Sequence, residues 1–525
     1  MHKEGSALRA WAYALALIVL WLPVRSPDVW WHLSAGRWIW AHGAAPFAET
    51  FSFTLAGAPW IDFEWGFQLL LYPFGLLGDW GLWAAKALLL LAAFLPLDGL
   101  LRDRQASPLA RALGAALFAA AILPKADLRA DLLSAAFFAW QLRRLASGRA
   151  SFLAGFAAFA FWANLHAGFA VGLALYPGWA LARRLAGKDR PEGLWAEACG
   201  AALGTLLNPY GLSLYAVFVT HALDPVRVGV AEWGPLDLSR PFQWPLAAAL
   251  AAGAWAAWRA RRADPGLAAA ALALSAATLF SARFGVYWPA AAVPLLVGAA
   301  PTSAPAVLLA LTALLAIPLS LVQWGRPYQD MFVARRAVDF VAAEREVFAP
   351  LRVFNTYEYG GYLGWRLGAE GRVFGDGRYL FHGQLAEMQE ALSGPAPLAA
   401  FLERHRLDAL LIKRYPARLP GVRVYPDGSR RELARPWYVT YLPRERWALV
   451  WWDLQALVFV ERAKVSEEWL AAREYRWLRP GDEEALADAL SRGEAPADEV
   501  AAEKARHEND RVLQRGSRAT PWTKL

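Results

Sequence analysis

Apolar residues in the first 325 positions form long runs separated by short polar segments, whereas residues 326–525 mix apolar and charged positions. A helix needs about 20 mostly apolar residues to cross the hydrocarbon layer of a bilayer. The runs therefore predict a polytopic α-helical membrane domain over residues 1–325. Eleven spans are expected, at residues 8–24, 81–101, 109–123, 131–146, 151–166, 168–183, 193–207, 243–258, 266–281, 285–300 and 303–322.

The remainder of the chain has the shorter periods of a water-soluble α/β domain. β-Branched and aromatic residues predict strands at 351–355, 407–412, 447–452 and 456–461. Helical spacing of apolar residues predicts helices at 328–345, 384–405 and 465–495. We expect a C-terminal α/β domain over residues 326–496, followed by a charged and poorly ordered tail over residues 497–525.

The amino-acid composition supports this division into a membrane part and a water-soluble part. The chain is 57% hydrophobic and 19% charged, with a mean hydropathy of +0.24. Residues 1–325 contain 23 Lys and Arg and 17 Asp and Glu, whereas the shorter remainder contains 31 and 29. The average therefore combines a lipid-solvated part with a water-solvated part.

Basic residues predict the orientation of the spans. In residues 1–325, 15 of the 23 basic residues lie at the N-terminus or in alternate connections, beginning with 102–111 and 143–149. Cytoplasmic loops are enriched in Lys and Arg. We therefore expect a cytoplasmic N-terminus and an extracytoplasmic C-terminal domain. The net charge of +8 is then a topology signal, and nucleic acid is not an expected partner.

Other classes are disfavoured. The single cysteine, Cys199, excludes a disulfide framework and a cysteine-based metal site. The chain contains neither a P-loop nor a dinucleotide-binding motif. Residues 8–24 could be a signal peptide, but the run is long and lacks an Ala-x-Ala site, which favours a retained helix.

The first outer loop, residues 25–80, is unusually long and rich in tryptophan. Trp30, Trp31, Trp38 and Trp40 are typical of helices that lie in the headgroup layer. A second interfacial helix is predicted at residues 65–77.

The predicted topology gathers ionisable and amide side chains at the outer ends of the spans. Carboxylates there could deprotonate an acceptor hydroxyl, and cations could hold a lipid phosphate. The candidate residues are Asp28, His32, Asp62, Glu64, Lys125, Asp127, Arg129, Asp131, Asn164, His166, Glu232 and Arg283.

Each candidate also has a structural interpretation. Asp28 could cap the interfacial helix, and Arg283 could extend its charge to the headgroups. The remaining polar residues could pair with one another or solvate turns. In the soluble part, Asp376 and Arg378 could contact an acceptor or could stabilise a tight turn, and turn chemistry is favoured there.

One pattern in the first outer loop resembles a known group of enzymes. It is Asp28-x-Trp30-Trp31-His32-Leu33, followed by Gly36-Arg37, His42-Gly43, Pro46, Phe51-Ser52-Phe53-Thr54, Gly57, Trp60 and Glu64-Trp65. With Asn164-Leu165-His166, Asn208-Pro209-Tyr210-Gly211 and Gly375-Asp376-Gly377-Arg378, it resembles a bacterial branch of the GT-C superfamily of membrane glycosyltransferases. That superfamily includes protein O-mannosyltransferases, the lipid A aminoarabinose transferase and oligosaccharyltransferases.

The resemblance implies an inverting transfer of a sugar from a polyprenyl-phosphate carrier to a lipid, glycan or protein acceptor. The protein would lie among membrane lipids in the bacterial cytoplasmic (inner) membrane and act on the cell envelope. Asp28 would be the catalytic-loop acid and Asp131, or else Asp127, the second acid. Arg283 and the bases of the second outer loop would hold the carrier phosphate. The residues specify no cofactor with certainty, and a divalent cation is possible, in which case it would lie between Asp28 and Asp131.

Two other functions remain open. A non-catalytic scaffold or lipid-binding component of envelope assembly is favoured by Val29, which stands where better-studied members have a second acid. A transporter is less favoured, because Lys86 is the main ionisable residue within the spans, whereas coupled carriers place such groups at mid-membrane.

Overall fold

The structure of the chain is a computed structural model. It describes residues 2–223, 233–240, 243–299, 304–320, 325–330, 332–368, 371–425 and 428–513. The described residues divide into two compact units, and the division does not follow the chain in one cut. Unit 1 comprises Met1–Ala48 and Pro59–Gln329, and unit 2 comprises Glu49–Ala58 and Asp330–Leu525.

Unit 1 is built from α-helices. The second and third helices pack against each other, as do several other pairs of helices. The helices are α1 (His2–Leu20), α2 (Asp28–His42), α3 (Trp65–Leu76), α4 (Gly78–Asp103), α5 (Pro108–Ile122), α6 (Asp131–Ala146), α7 (Phe152–Leu165), α8 (Phe169–Leu185), α9 (Leu194–Gly204), α10 (Ala216–Leu223), α11 (Trp244–Ala260), α12 (Pro265–Phe280), α13 (Trp288–Ala299) and α14 (Ala304–Ser320).

Every predicted apolar span coincides with one of these helices, and the predicted interfacial helix at 65–77 coincides with α3. Within the described residues, two helices are long and apolar enough to cross a membrane, Gly78–Asp103 and Pro108–Lys125. Shorter apolar helices include Phe152–Leu165 and Pro265–Phe280. The helical segments are therefore found, while the count of eleven crossings is not confirmed.

Small residues allow α7 and α9 to approach closely. A Cβ atom added at Gly200 would lie 2.2 Å from the Phe152 carbonyl oxygen, and one added at Gly204 would lie 2.3 Å from that of Phe156. Two glycines one helical turn apart bring backbones together, as in the small-residue interfaces of membrane helices.

Unit 2 combines a four-stranded sheet, a two-stranded ribbon and short helices. The sheet has the order β1-β2-β6-β5, with β1 parallel to β2 and the other pairs antiparallel, and β3 pairs with β4 in the ribbon. The strands are β1 (Val353–Asn355), β2 (Ala409–Lys413), β3 (Arg418–Val424), β4 (Arg430–Pro436), β5 (Trp447–Trp452) and β6 (Ala456–Glu461). The helices are α15 (Arg335–Ala343), α16 (Arg345–Phe348), α17 (Gly360–Leu367), α18 (His382–Ala391), α19 (Pro395–Arg404), α20 (Trp437–Tyr441), α21 (Glu467–Arg473), α22 (Glu483–Ser491) and α23 (Ala497–Leu513).

The four predicted strands overlap β1, β2, β5 and β6, but two predicted helices are each divided. Gly394 and Pro395 separate α18 from α19, and Gly481, with φ +85°, lies between α21 and α22. Proline cannot continue a helix, and glycine adopts positive φ without strain. The ribbon was not predicted, because its strands carry many arginines and little apolar alternation.

The chain end also differs from its prediction as a poorly ordered tail. Ala497–Leu513 is helical, and Val500, Glu503 and His507 on that helix are buried. The Glu503 carboxylate accepts hydrogen bonds from the backbone N–H groups of Trp477 and Leu478. Residues 514–525 lie outside the described part of the chain.

Segment Glu49–Ala58 belongs to unit 2 although the sequence places it in the first outer loop. Ser52 and Val373 form a parallel bridge, with Phe53 N–H donating to the Val373 carbonyl at 3.1 Å. The predicted boundary at 325 falls four residues before the observed one at Gln329, and the prediction missed this segment. The segment joins unit 2 by pairing with residues that are distant in the chain. Local periodicity in the sequence does not predict pairing of this kind.

Candidate functional site

Two acids at the starts of separate helices in unit 1 share one arginine. Arg129 Nη1 lies 3.7 Å from Asp28 Oδ2, and Arg129 Nε lies 3.8 Å from Asp131 Oδ2. Asp28 begins α2 and Asp131 begins α6, so the positive ends of both helix dipoles favour negative charge there. Pro27, not Asp28, occupies the N-cap position of α2. The cluster Asp28–Arg129–Asp131 is named the acid pair below.

The two acids differ in their surroundings. The Asp28 side chain is 29% exposed, whereas that of Asp131 is 5% exposed. Asp131 Oδ1 is buried and has no hydrogen-bond partner among the described residues. A buried acceptor without a partner is costly and is typical of sites that hold an additional group.

A second pair, Glu64 and His166, lies in the same unit. His166 Nε2 is 3.8 Å from Glu64 Oε1. His166 Nδ1 accepts from Gly168 N–H at 3.0 Å and lies 2.8 Å from Ser134 Oγ, which itself accepts from Trp162 Nε1 at 2.7 Å. Since Nδ1 is an acceptor, the proton of a neutral His166 ring lies on Nε2, toward Glu64.

The Glu64 carboxyl interacts electrostatically with Asp28 and Arg129 of the acid pair. Burial, together with repulsion from the nearby Asp62 and Asp28, raises the pKa of Glu64 from 4.5 to about 8, while Arg283 and Arg129 oppose this increase. Burial disfavours the charged form of an acid. Glu64 therefore holds its proton at neutral pH and is placed within the electrostatic field of both acids and both arginines.

A cavity of about 660 Å³ in unit 1 is bordered by part of this cluster. Asp131, His166 and Arg283 contribute polar groups, and aromatic residues form much of the remaining wall. The Arg283 guanidinium lies over the Trp233 ring, 4.4 Å from its centroid. Ligand sites commonly combine an apolar wall with a few convergent polar groups, and this cavity has that character.

Some predicted residues have structural contacts away from the cavity. Asp127 Oδ1 accepts from the backbone N–H groups of Arg25 and Leu128, and its other oxygen lies 3.8 Å from Arg25 Nε. Asn164 accepts from Trp65 Nε1 at 2.9 Å and donates to the Leu207 carbonyl at 2.6 Å. These contacts join loops and helix ends. Of the two candidates for the second acid, Asp127 and Asp131, Asp131 is the one that lies beside the cavity.

His32, Asp62 and Lys125 do not line the cavity. The buried His32 ring stacks beside Trp31, with centroids 3.6 Å apart. Asp62 Oδ1 accepts from Glu64 N–H and from Gln68 Nε2, which fixes the entry to α3. Lys125 ends a short 3-10 helix. Glu232 lies outside the described residues.

Asp376 and Arg378 lie in unit 2. The buried Arg378 forms one ion pair with Asp376 and another with Glu49. Arg378 Nη2 donates to Glu49 Oε1 at 2.8 Å, and Arg378 Nε donates to Asp376 Oδ1 at 2.8 Å. Glu49 also accepts from the backbone N–H of Ser52. These contacts fasten segment Glu49–Ala58 to the turn after Val373, which favours the structural interpretation of both residues.

Four residues near the cavity were not predicted as site residues: Ser134, His221, Trp233 and Tyr287. His221 Nδ1 donates to the Val217 carbonyl at 2.7 Å, and its ring stacks parallel to Trp233 at 5.5 Å. Ser134, His221 and Tyr287 are ordinary in sequence, and only Trp233 lies next to a predicted site residue, Glu232. Their partners are distant in sequence, so no local signal identified them.

The acid pair does not form a ligand set for a divalent cation. Mg²⁺ and Ca²⁺ take six or more oxygen ligands, in part from water. Asp28 and Asp131 each face Arg129, and the described residues contain no group of three or more His, Cys, Asp or Glu side chains that could hold a metal. The buried Oδ1 of Asp131 offers a single open acceptor.

Comparison with known proteins gives a likeness in structure and none in sequence. No family model matches the chain, and no curated protein matches it. A solved structure of the archaeal oligosaccharyltransferase AglB from Archaeoglobus fulgidus, in complex with an inhibitory peptide and a dolichol-phosphate, is similar in fold. The TM-score is 0.54 at 13% identity, and the match covers 84% of this chain and 77% of AglB. Over most of its length, the chain therefore has a fold similar to that of this oligosaccharyltransferase.

Proposed function

We propose that this protein is a membrane glycosyltransferase that moves a sugar from a polyprenyl-phosphate-type carrier to an envelope acceptor. The observation that carries the proposal is the acid pair, of which Asp131 lines a cavity that also contains Arg283. The GT-C-like fold and the dolichol-phosphate named with AglB support a lipid-linked donor.

A membrane location is supported by the surface of unit 1. Large apolar side chains are exposed on many of its helices, including Leu17 at 53%, Leu153 at 73%, Phe161 at 69% and Phe280 at 79%. A water-soluble monomer rarely exposes such side chains in quantity. With the basic clusters of alternate connections, they favour a multi-pass protein of the bacterial cytoplasmic membrane with its N-terminus inside.

In the proposed reaction, Asp28 takes the proton of an acceptor hydroxyl. The acceptor oxygen forms a bond to the anomeric carbon while the bond from that carbon to the carrier phosphate oxygen breaks. The phosphate leaves with the electron pair, and the configuration at the carbon inverts. Arg129 holds Asp28 and Asp131 in a fixed arrangement, which reduces the reorganisation needed in the transition state.

The negative charge that develops on the leaving phosphate needs a cation nearby. Arg283 is suited to this role, because it lines the cavity and the Trp233 ring fixes its guanidinium. Guanidinium groups bind phosphate through two parallel N–H groups. His166 also lines the cavity, with its Nε2 proton directed toward Glu64, and would contact the uncharged sugar of the donor.

The test is sugar transfer by the purified full chain in lipid, with a radiolabelled polyprenyl-phosphate sugar and envelope extract as the acceptor source. Asp28→Asn is expected to lower turnover about 10²–10⁴-fold, the range for loss of a general base. Asp189→Asn, an exposed acid of unit 1 outside the site, is the matched control. Unchanged turnover in Asp28→Asn would remove the proposal.

A carrier-binding scaffold without chemistry is the second candidate. It is favoured by Val29 after Asp28 and by Arg129, which neutralises charge on both acids. Saturable binding of the carrier with no consumption of its sugar, in the wild type and in Asp28→Asn alike, would select this candidate.

A further inference from the structure

Unit 2 contains a second cleft that the proposed transfer does not use. It has a volume of about 680 Å³ and lies between the β3–β4 ribbon and helix α22. Its distinguishing feature is its positive charge, and it is named the arginine cleft below. The arginines that line it are Arg423, Arg435, Arg444, Arg476 and Arg479.

Three of these arginines already have carboxylate partners. Arg423 pairs with Asp488 at 3.0 Å and also with Glu494, and Arg476 pairs with Glu474 at 3.2 Å. Arg435 pairs with Asp482 through its Nε and Nη2 atoms. Their charges are therefore balanced within unit 2.

Arg444 and Arg479 are different. Among the residues that the structure describes, no carboxylate forms an ion pair with either guanidinium. The Arg444 side chain is exposed, and its guanidinium lies 6.0 Å from the centroid of the Trp477 ring. The cleft thus has two guanidinium groups that form no direct ion pair with a carboxylate in the described part of the chain.

Arg479 is the stronger signal, because it is buried. The residue is 5% exposed, and its Nη2 atom has no hydrogen-bond partner among the described residues. Burial, reinforced by repulsion from Arg444, lowers the pKa of Arg479 below its ordinary value, although the nearby Tyr438, Asp482 and Glu474 oppose this decrease without pairing directly with the guanidinium. A buried charge is stable only when it is paired, so this guanidinium is built to meet an anion.

The shape of the cleft indicates what carries the anion. A volume of about 680 Å³ greatly exceeds that of one inorganic oxyanion and approximates a small-ligand site. Trp477 supplies an aromatic wall, and Thr440 and Glu494 supply polar groups that can bind hydroxyls. Such a mixture of an aromatic face, donors and acceptors suits a sugar ring.

The ribbon presents its face to the cleft. Gly421 pairs with Leu433 across the ribbon, and both line the cleft. Cross-strand partners lie on the same face of a ribbon. An extended peptide is captured at a strand edge by unpaired backbone groups, so the arrangement favours a small polar ligand over a peptide.

We propose that the arginine cleft binds a saccharide that carries a carboxylate or a phosphate group. The anion would lie against Arg479 and Arg444, and the sugar ring would lie against Trp477. The site is separate from the acid pair, so its binding does not depend on whether unit 1 transfers sugar.

The test is direct binding to the full chain in detergent, followed by saturation-transfer NMR with glucose 6-phosphate, glucuronic acid, glucose and inorganic phosphate as probes. We expect the two anionic sugars to bind more tightly than glucose and than phosphate. Arg479→Met is expected to weaken their binding at least 10-fold, and Arg444→Ala to weaken it less. Arg404→Ala, an exposed arginine of unit 2 paired with Glu387, is the matched control.

A melting temperature separates ligand binding from folding. Replacing an unpartnered buried charge by methionine should leave the melting temperature unchanged or raise it, whereas loss of a structural arginine would lower it. Anionic-sugar binding that survives in Arg479→Met would overturn the proposal. It would also be overturned if inorganic phosphate bound as tightly as glucose 6-phosphate, or if an acidic peptide displaced the sugars with higher affinity.

Discussion

The Arg129 guanidinium lies 3.7 Å from the Asp28 carboxylate, although four α-helices, α2 to α5, lie between the two residues in the chain. Arg129 reaches Asp131 at a similar distance, so one cation sets the spacing of both acids. An arginine that holds two carboxyl groups orients them for a reaction and moderates their repulsion. This relationship is the basis of the first prediction.

Arg129→Met is expected to lower sugar transfer about 10²-fold, comparable to the loss of one preorganised charged group in an active site. Arg129→Lys should recover part of that loss, because lysine restores the charge but not the two-sided geometry. Turnover measured at saturating carrier is the readout. Arg240→Met, which removes a 59% exposed arginine of unit 1, should leave turnover unchanged. Equal activity of Arg129→Met and wild type would contradict this role.

Glu64 makes the stability of unit 1 dependent on pH. Its pKa is about 8 in the folded chain and 4.5 in the reference state, so the unfolded chain releases this proton first. Stability from this group is present below pH 4.5 and is lost as the pH rises to about 8. The charged and titratable groups around it are Asp62, Asp28, Arg283, Arg129 and His166.

We therefore expect the melting temperature of Glu64→Gln, measured relative to that of wild type, to increase as the pH is raised from 5 to 8.5. Thermal unfolding across that interval is the measurement. Glu192→Gln, which changes an exposed acid of unit 1, should show a constant difference from wild type. A constant difference for Glu64→Gln as well would mean that the folded chain does not perturb this carboxyl.

Ser134 sets the tautomer of His166 and also satisfies the indole of Trp162. Ser134→Ala should cost about 1–3 kcal/mol of unfolding free energy, because the buried Trp162 N–H loses its acceptor. Transfer should fall while carrier binding persists, since the cavity keeps its shape. Ser134→Thr retains the hydroxyl but adds a methyl group beside Gly168, so a response of this variant equal to that of Ser134→Ala would indicate packing rather than hydrogen bonding.

Arg283 is expected to act mainly on the carrier. Arg283→Ala should raise KM for the carrier, because a phosphate-binding cation is lost. Trp233→Leu should produce a smaller change of the same kind by freeing the guanidinium, since a cation–π contact contributes about 0.5–2 kcal/mol. Steady-state kinetics with varied carrier would test both variants. A fall in kcat at unchanged KM would assign Arg283 to the transition state alone.

The buried Glu49–Arg378 pair should hold segment Glu49–Ala58 in unit 2. Arg378→Met is expected to destabilise that unit by about 3–5 kcal/mol, because Glu49 and Asp376 remain buried without their cation. Hydrogen exchange of Phe53 N–H, which donates to Val373, is the local readout. The exposed Arg404–Glu387 pair supplies a control, since its loss should cost less than about 1 kcal/mol. Slow exchange of Phe53 in Arg378→Met would contradict this anchoring role.

Much of the local structure could be predicted from the residues. The apolar runs coincide with α1 and with α4 through α9, and the β-branched segment 456–461 is β6. These elements depend on periodicity within a few turns or one strand, which the residues themselves record. The ribbon β3–β4 could not be predicted in this way, because arginines interrupt its apolar alternation.

The membership of the site was only partly predictable. Asp28, Asp131, Glu64, His166 and Arg283 were identified as candidates from their predicted positions at the outer ends of spans. That reasoning could not distinguish Asp131 from Asp127, because both lie in one short loop. The fold separates them: Asp127 is bound by Arg25, and Asp131 starts α6 beside the cavity.

The sequence by itself determined most of the helices and four of the six described strands, and it indicated which regions of the chain suit lipid or water, because these depend on neighbouring residues. Only the tertiary structure decided that Asp28 and Asp131 share Arg129, that Glu49 pairs with Arg378, and that the buried Arg479 Nη2 has no hydrogen-bond partner among the described residues. Those relationships join residues distant in the chain, and charge pairing depends on distance in space.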